Sequence, residues 1–246
     1  MLFDLEQVKQ NKLRAKKIGK KNFLLHTAYK NLEGRVVDLG LSLEKIMVFG
    51  AKGSDLPKTN YELPIEYYDQ FDQELEKKKI NLILNVLSLH WSNNPKKDLS
   101  NQVDLLKPGG VFMGCLFGAD TLNELRDSFL KAELQVSGEA CPRISPLPEI
   151  RDIGNLAQNV GMKNVVADKE LLILRFERVI DLLKNLRSMG ETNCILERKK
   201  VFSRRDVFDQ MENYYQKNHP YEKTVKNDRG IRATFEIIYL YGEKNK

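Results

Sequence analysis

Two long apolar runs stand out along the chain, Asn81 to Leu89 and Val111 to Phe117. Neither contains a charged residue, and almost wholly apolar sequence of that length suits a central parallel strand covered on both faces. Between them lies a helix-length spacer closed by Pro108-Gly109-Gly110. Proline cannot continue a helix, and the glycines supply the dihedral freedom to turn back into a sheet. The pattern predicts a β-α-β crossover. Ligands of open α/β sheets bind beyond the carboxyl ends of the strands, which puts Ser88, His90 and Trp91 at a ligand rim, with Asp120 and Thr121 after the second strand.

The rest of the chain is placed around this crossover. Residues 1–21 read as a basic helix with Leu2, Leu5, Val8 and Leu13 on its apolar side, and Phe23, Leu24, Leu25, Ala28, Leu32 and Val36 recur at helical spacing. Two segments compete to be the first strand and its glycine loop. Arg35 to Gly40 ends too close to the next apolar run at Ile46 for a parallel crossover, so Val36 to Leu43 is placed at the end of the second helix and Ile46 to Gly53 is taken as strand and loop. Only about thirty residues then lead to Asn81, so a full nucleotide-binding half, with two helices and two more strands, has to be shortened here. Glu62 and Glu66 are the acids on offer for a ribose.

Beyond Phe117 the pattern predicts a helix from Thr121 to Val136 and a breaker-rich loop from Gly138 to Pro148. A helix from Glu149 to Val160, a short strand around Val165 and Val166, and a strand from Leu171 to Phe176 follow. Helices from Arg178 to Met189 and from Arg204 to Lys217 and a closing strand from Ala233 to Gly242 complete the chain. Ile46–Phe49, Asn81–Leu89 and Val111–Phe117 are expected side by side as parallel strands, with 235–241 antiparallel to a neighbour. Residues 22–246 are expected to form one domain, with 138–160 and 178–230 as a lid over the carboxyl rim.

Composition narrows the classes. The chain has 246 residues, 41% hydrophobic, enough to bury a core. No apolar run approaches a membrane span, and the opening Met1-Leu2-Phe3-Asp4-Leu5-Glu6 carries acid where a secretory signal carries base. These features point to a soluble, cytoplasmic protein. The three cysteines, Cys115, Cys141 and Cys194, and the three histidines, His26, His90 and His219, lie far apart, so neither a disulfide framework nor a metal site is expected. The net charge of +6 is concentrated in Lys9 to Lys21 and in Arg198-Lys199-Lys200 with Arg204-Arg205. These are either two solvated helix faces or a patch for nucleic acid or an acidic protein.

Each rim residue has a chemical and a structural reading. His90 is a base or substrate contact, or a hydrogen-bonded histidine at a strand end. Trp91 is an aromatic clamp for a guanidinium or a packing element. Asp120 holds a cationic substrate or caps the helix after it. Arg126 and Arg143 recognise substrate or organise loops, and Glu191 and Asn193 follow a helix-ending Gly190 that explains them as a turn. Cys115 reads as a buried, inert thiol.

The residues Leu87-Ser88-Leu89-His90-Trp91, Leu106-Lys107-Pro108-Gly109-Gly110 and Asp120-Thr121-Leu122, with Glu124-Leu125-Arg126 and Ala132-Glu133, together resemble the class I methyltransferase family that contains the biotin-pathway malonyl-carrier methyltransferase. Its respiratory complex I assembly-factor branch is resembled further in Pro142-Arg143-Ile144-Ser145-Pro146, Arg151-Asp152-Ile153-Gly154, Leu186 to Asn193 and Ala233 to Ile238. The resemblance covers nearly the whole chain. It implies an α/β, Rossmann-like methyltransferase sheet, here with a shortened nucleotide-binding half and an inserted helical lid. It also implies S-adenosylmethionine as cofactor, with Gly50, Lys52, Gly53 and Leu87 as cofactor-binding candidates. The catalytic candidates are His90 and Asp120, and the substrate-binding candidates Trp91, Arg126, Arg143, Glu191 and Asn193. The implied partner is a protein substrate, a complex I subunit modified on arginine, and nucleic acid is disfavoured. The family's acid-and-glycine loop stands here as Phe49-Gly50-Ala51-Lys52-Gly53 without the acid, so methyl-donor binding is expected to be weak or absent. A non-catalytic assembly or binding factor with a degenerate cofactor site is the alternative, and a nucleic-acid methyltransferase, favoured only if the two basic clusters share one face, is the second.

Overall fold

A computed structural model describes residues 1–58, 64–68, 79–201, 203–221 and 230–245 of the chain. In chain order the elements are α1 (Leu5–Ile18), α2 (Phe23–Asp38), β1 (Ile46–Phe49), β2 (Ile65–Tyr68), β3 (Ile80–Val86), α3 (Pro95–Leu105), β4 (Leu106–Phe117), α4 (Asn123–Ser137), α5 (Ile150–Asn159), β5 (Met162–Phe176), α6 (Val179–Met189), α7 (Arg205–Asn218) and β6 (Ile231–Lys244). Short 3₁₀ turns span Gly53–Asp55 and Leu89–Trp91. The six strands hydrogen-bond in the order β2-β1-β3-β4-β6-β5. β1 runs parallel to β2 and β3, β3 runs parallel to β4, and β4 is antiparallel to β6.

The chain divides into two compact units. One comprises Lys21–Gly118, Pro148–Glu170 and Ile237–Lys246 and carries the parallel strands. Every residue of β1 and β3 is buried, in keeping with their almost wholly apolar sequence. One sheet face packs Met47, Phe49, Ile83, Phe112 and Leu116 against Leu99 and Val103 of α3 and Ile153 and Ala157 of α5. α2 buries Leu24, Ala28, Leu32 and Val36 and packs on β3 and β4. Its polar edge is tied down as well. Arg35 stacks 4.2 Å over the Tyr239 ring and pairs with Asp168 at 2.7 Å, while Asn31 donates to Glu170 at 2.8 Å.

The second unit comprises Met1–Lys20, Ala119–Leu147 and Leu171–Glu236. Here α4 packs against α7 and α1 against α6. Asp4 caps α1 by accepting from the Gln7 N–H at 3.1 Å and pairs with Arg198 at 3.0 Å. Two carboxylates of α4 are buried with partners. Glu124 accepts from the Thr234 N–H and hydroxyl, and Glu133 accepts from Arg143 and the Cys141 N–H.

The parallel register of β1, β3 and β4 and the antiparallel β6 agree with the sequence pattern. Five details differ. α2 ends at Asp38 instead of running on to Leu43, because Gly40 at φ +58° turns the chain out of the helix. The strand expected around Val165 and the strand expected from Leu171 are one strand, β5, because the intervening Asp168 and Glu170 take partners on α2 and do not break the strand. Pro108-Gly109-Gly110 lies inside β4 as a bulge. Ile80 pairs with Leu106 and Leu82 with Val111, so the residues between are looped out of register, with Gly109 at φ +72°. α4 starts at Asn123, after Leu122 in a left-handed conformation, so Asp120 is not its capping side chain. Finally, α5, grouped with the lid in the sequence pattern, puts Ile153 and Ala157 into the core of the sheet-bearing unit.

Candidate functional site

In the sheet-bearing unit, the neighbouring strands β1, β3 and β4 end together. β3 finishes at Val86, and Leu87 then adopts φ +43°, a left-handed conformation uncommon outside glycine, held by its N–H donating to the Cys115 carbonyl at 2.9 Å. This kink diverts the chain into the Leu89–Trp91 turn. The His90 ring lies 5.2 Å from Trp91 and meets Phe117 of β4 edge-on at 5.0 Å. His90 is 6% exposed and Trp91 4%, so both rings belong to the packed end of the sheet.

Behind the rings runs a buried polar chain that sequence reasoning missed. The Ser88 hydroxyl donates to Asn85 Oδ1 at 2.9 Å, and the Asn85 amide donates to Gln102 Oε1 on α3 at 3.0 Å. The signal was an asparagine in the middle of an apolar strand, since a buried amide demands partners. On the next turn Ser92 donates to Asp98 at 2.5 Å, and Asn94 caps α3 by accepting from the Lys97 N–H.

The glycine loop after β1 is shaped by its own neighbours. Gly50 has φ +89° and its N–H donates to the Tyr68 carbonyl at 3.2 Å. A Cβ at this position would overlap the Ser88 hydroxyl and stand 2.6 Å from the Val86 carbonyl oxygen. At Gly53 a Cβ would come within 2.9 Å of the Tyr67 ring. The turn that follows is closed by the Lys52 N–H donating to Asp55, whose carbonyl lies 3.1 Å from His26 Nε2 of α2. Glu66, placed on β2, accepts from the Tyr68 hydroxyl at 2.7 Å and pairs with Lys45. Glu62 lies outside the described residues.

The structure therefore brings Gly50 against Ser88, next to Leu87, with Lys52 and Gly53 on the same loop. It also brings His90 and Trp91 together with Phe117. The remaining candidates belong to the other unit and are engaged there. The Asp120 N–H donates to Glu236 at 3.3 Å, and Arg126 reaches the carbonyls of Ala119 and Thr121. Arg143 donates to Glu133 and to the Ser203 hydroxyl, with its guanidinium 5.1 Å from the Phe129 ring centre. Asn193 donates to the Pro142 carbonyl at 2.8 Å and accepts from the Ile195 N–H, and the Glu191 N–H closes the end of α6. Arg143 and Asn193 thus hold the same breaker-rich loop in shape, Arg143 in the loop-organising role read from the sequence and Asn193 by a contact that the turn reading did not include.

Burial pushes the Cys115 thiol up to about 12, so it is protonated and inert at neutral pH. Among the described residues no group of three or more His, Cys, Asp or Glu is placed to hold a metal ion, and no helix is long and apolar enough to cross a membrane.

No family model matches the chain. It is 37% identical over 170 residues to the mitochondrial arginine-hydroxylase NDUFAF5 of Dictyostelium discoideum, an alignment covering 68% of this chain and 37% of that protein. It is 29% identical over 160 residues to the malonyl-[acyl-carrier protein] O-methyltransferase of Xylella fastidiosa, covering 65% of this chain and 50% of that one. The chain belongs to the class I methyltransferase family. Among solved structures, the YcgJ protein from Bacillus subtilis shares the fold, with a TM-score of 0.51 at 10% identity over 88% of this chain and 99% of that one. The chain spans only 37% and 50% of the lengths of the two curated relatives.

S-adenosylmethionine is the methyl donor of this family. Holding such a nucleotide takes a tight glycine turn that lets backbone approach it and a carboxylate for its ribose hydroxyls. The turn is present at Gly50. A Cβ at Gly50 or Gly53 would meet Ser88 or Tyr67 of the chain itself, and Glu66 pairs with Lys45 and accepts from the Tyr68 hydroxyl.

Proposed function

We propose that this class I methyltransferase-family chain acts on a protein during assembly of respiratory complex I, with an arginine side chain as its target, and that it binds S-adenosylmethionine weakly. The curated name of the Dictyostelium relative supports the arginine target. The observation that carries the weak-binding part is the close packing of Ser88 on Gly50, which gives the missing side chain of this glycine a structural reason within the chain itself. The same contact favours a second reading, a non-catalytic assembly factor that keeps the fold and the protein-binding surface. The name of the Dictyostelium protein places that relative in mitochondria.

Losing a charged acceptor for the ribose weakens binding by about 1.5–3 kcal/mol, roughly ten- to a hundredfold. Calorimetric titration with S-adenosylmethionine and its demethylated product is therefore expected to give weak or undetectable heats in folded protein. Low-micromolar or tighter binding, abolished by Gly53→Val in a folded variant, overturns that part of the proposal. Mass spectrometry of complex I subunit peptides after incubation with the chain tests the arginine. A mass change confined to arginine-containing peptides separates the enzyme from the assembly factor.

A further inference from the structure

We propose that the edge strand β5 joins two copies of this chain in an antiparallel, two-fold pair. β5 closes one end of the sheet order, with β6 beside it and, among the described residues, no strand on its other side. It runs from Met162 to Phe176, well beyond the usual five or six residues of a strand. Long sheet edges are normally shortened, bulged or dressed with charge, because a row of unpaired backbone groups is a template for another strand. Here the stretch from Leu171 to Phe176 alternates strictly between exposed and half-buried residues, and its exposed face carries Leu171 at 51% and Ile173 at 55%. Two large aliphatic side chains on the open face of an edge strand are a liability unless something covers them.

The order of residues along this face identifies the occupant. In an antiparallel pair, residues directly opposite one another point to the same side of the sheet. With Ile173 facing Ile173 of the second copy, Leu171 faces Arg175 and Lys169 faces Glu177, each twice by symmetry. Apolar thus meets apolar at the two-fold axis, the aliphatic stem of arginine covers leucine on either side, and opposite charges meet at the ends. No like charges stand directly opposite in this register. Residues 169, 171, 173, 175 and 177 are all exposed, so the match uses one face without a shift of register. A segment that is its own complement in charge and apolarity fits a second copy of itself, and backbone hydrogen bonds add the affinity of strand addition.

Sedimentation velocity from about 1 to about 100 µM chain is expected to show a reversible dimer in that range, corresponding to a dissociation constant in the micromolar region. Ile173→Lys sets two ammonium groups against each other and is expected to weaken the dimer at least about tenfold. Position 173 is exposed, so circular dichroism should report an unchanged fold. In a Cys141→Ser background, which removes the partly exposed native thiol, Ile173→Cys is expected to form an intermolecular disulfide under mild oxidation, because only directly opposed residues come within bonding reach. A monomer throughout the concentration range overturns the proposal. So does a dimer that is insensitive to Ile173→Lys and yields no crosslink at position 173.

Discussion

The ends of β1 and β3 lie side by side in one sheet and solve the same problem, a parallel strand turning toward a rim, in opposite ways. At β3 a non-glycine residue, Leu87, takes the left-handed conformation, and the polar chain Ser88–Asn85–Gln102 locks it to α3. At β1 the left-handed residue is Gly50, and what holds it is the absence of a side chain, into which Ser88 fits. Strain at β3 is thus held by hydrogen bonds, and close approach at β1 is permitted by a missing atom. The first arrangement tolerates change at its edges, and the second tolerates none at its centre.

Gly50→Val therefore carries the largest expected effect. It combines a β-branched residue at positive φ with overlap of the Ser88 hydroxyl and the Val86 carbonyl, and should destabilise the fold by about 3 kcal/mol or more in urea unfolding. A loss below about 1 kcal/mol would mean that the β1 end gives way, and the contrast would collapse. Asn85→Ala comes next. It leaves Ser88 and Gln102 buried without their shared partner, for an expected loss of about 2 kcal/mol by the same measurement. Asn85→Ala combined with Gln102→Leu should recover part of that loss, since removing both members of a buried pair is milder than removing one.

A third effect appears at alkaline pH. The Cys115 thiol on β4 accompanies the Leu87 kink and is pushed up from 9.0 to about 12 by burial, so the native state keeps a proton that the unfolded chain releases. Its contribution to stability is full below about 9 and is lost as the pH rises toward 12, with a slope of up to about 1.4 kcal/mol per pH unit from this group. Cys115→Ala should flatten that part of the pH profile, and native Cys115 should resist alkylation until the chain unfolds. The smallest effect is expected at Gly53. Here a methyl group meets only the edge of the Tyr67 ring, which can move, so Gly53→Ala should cost about 1 kcal/mol or less. An effect as large as that of Gly50→Val would show that the whole loop, and not one glycine, is packed tight.

Much of the sheet was legible because its signals are local. Apolar runs marked β1, β3 and β4, and the lack of room after Gly40 settled that Val36 to Asp38 belongs to α2. The candidate site was legible only in outline. His90 and Trp91 fell at the rim as expected, but their burial did not follow from the pattern, because it depends on Phe117, distant in sequence. Asn85 and Gln102 were passed over since each alone looks like an isolated polar residue, and their pairing exists only once α3 folds onto β3. Arg126, Arg143 and Asn193 appeared as candidates for recognition, and the structure spends their hydrogen bonds on loop carbonyls, a carboxylate and a hydroxyl.

Sequence by itself determined the element types, the parallel crossover and the family. Those rest on periodicity, breakers and short blocks of residues, which need no knowledge of distant neighbours. Tertiary structure alone decided three things: that β5 is one unbroken strand, that Pro108-Gly109-Gly110 is a bulge within β4, and that Ser88 stands over Gly50. Each depends on which atoms from remote parts of the chain arrive at the same place. A glycine reads identically in sequence whether the space beside it receives a ligand or a serine, and only packing distinguishes the two.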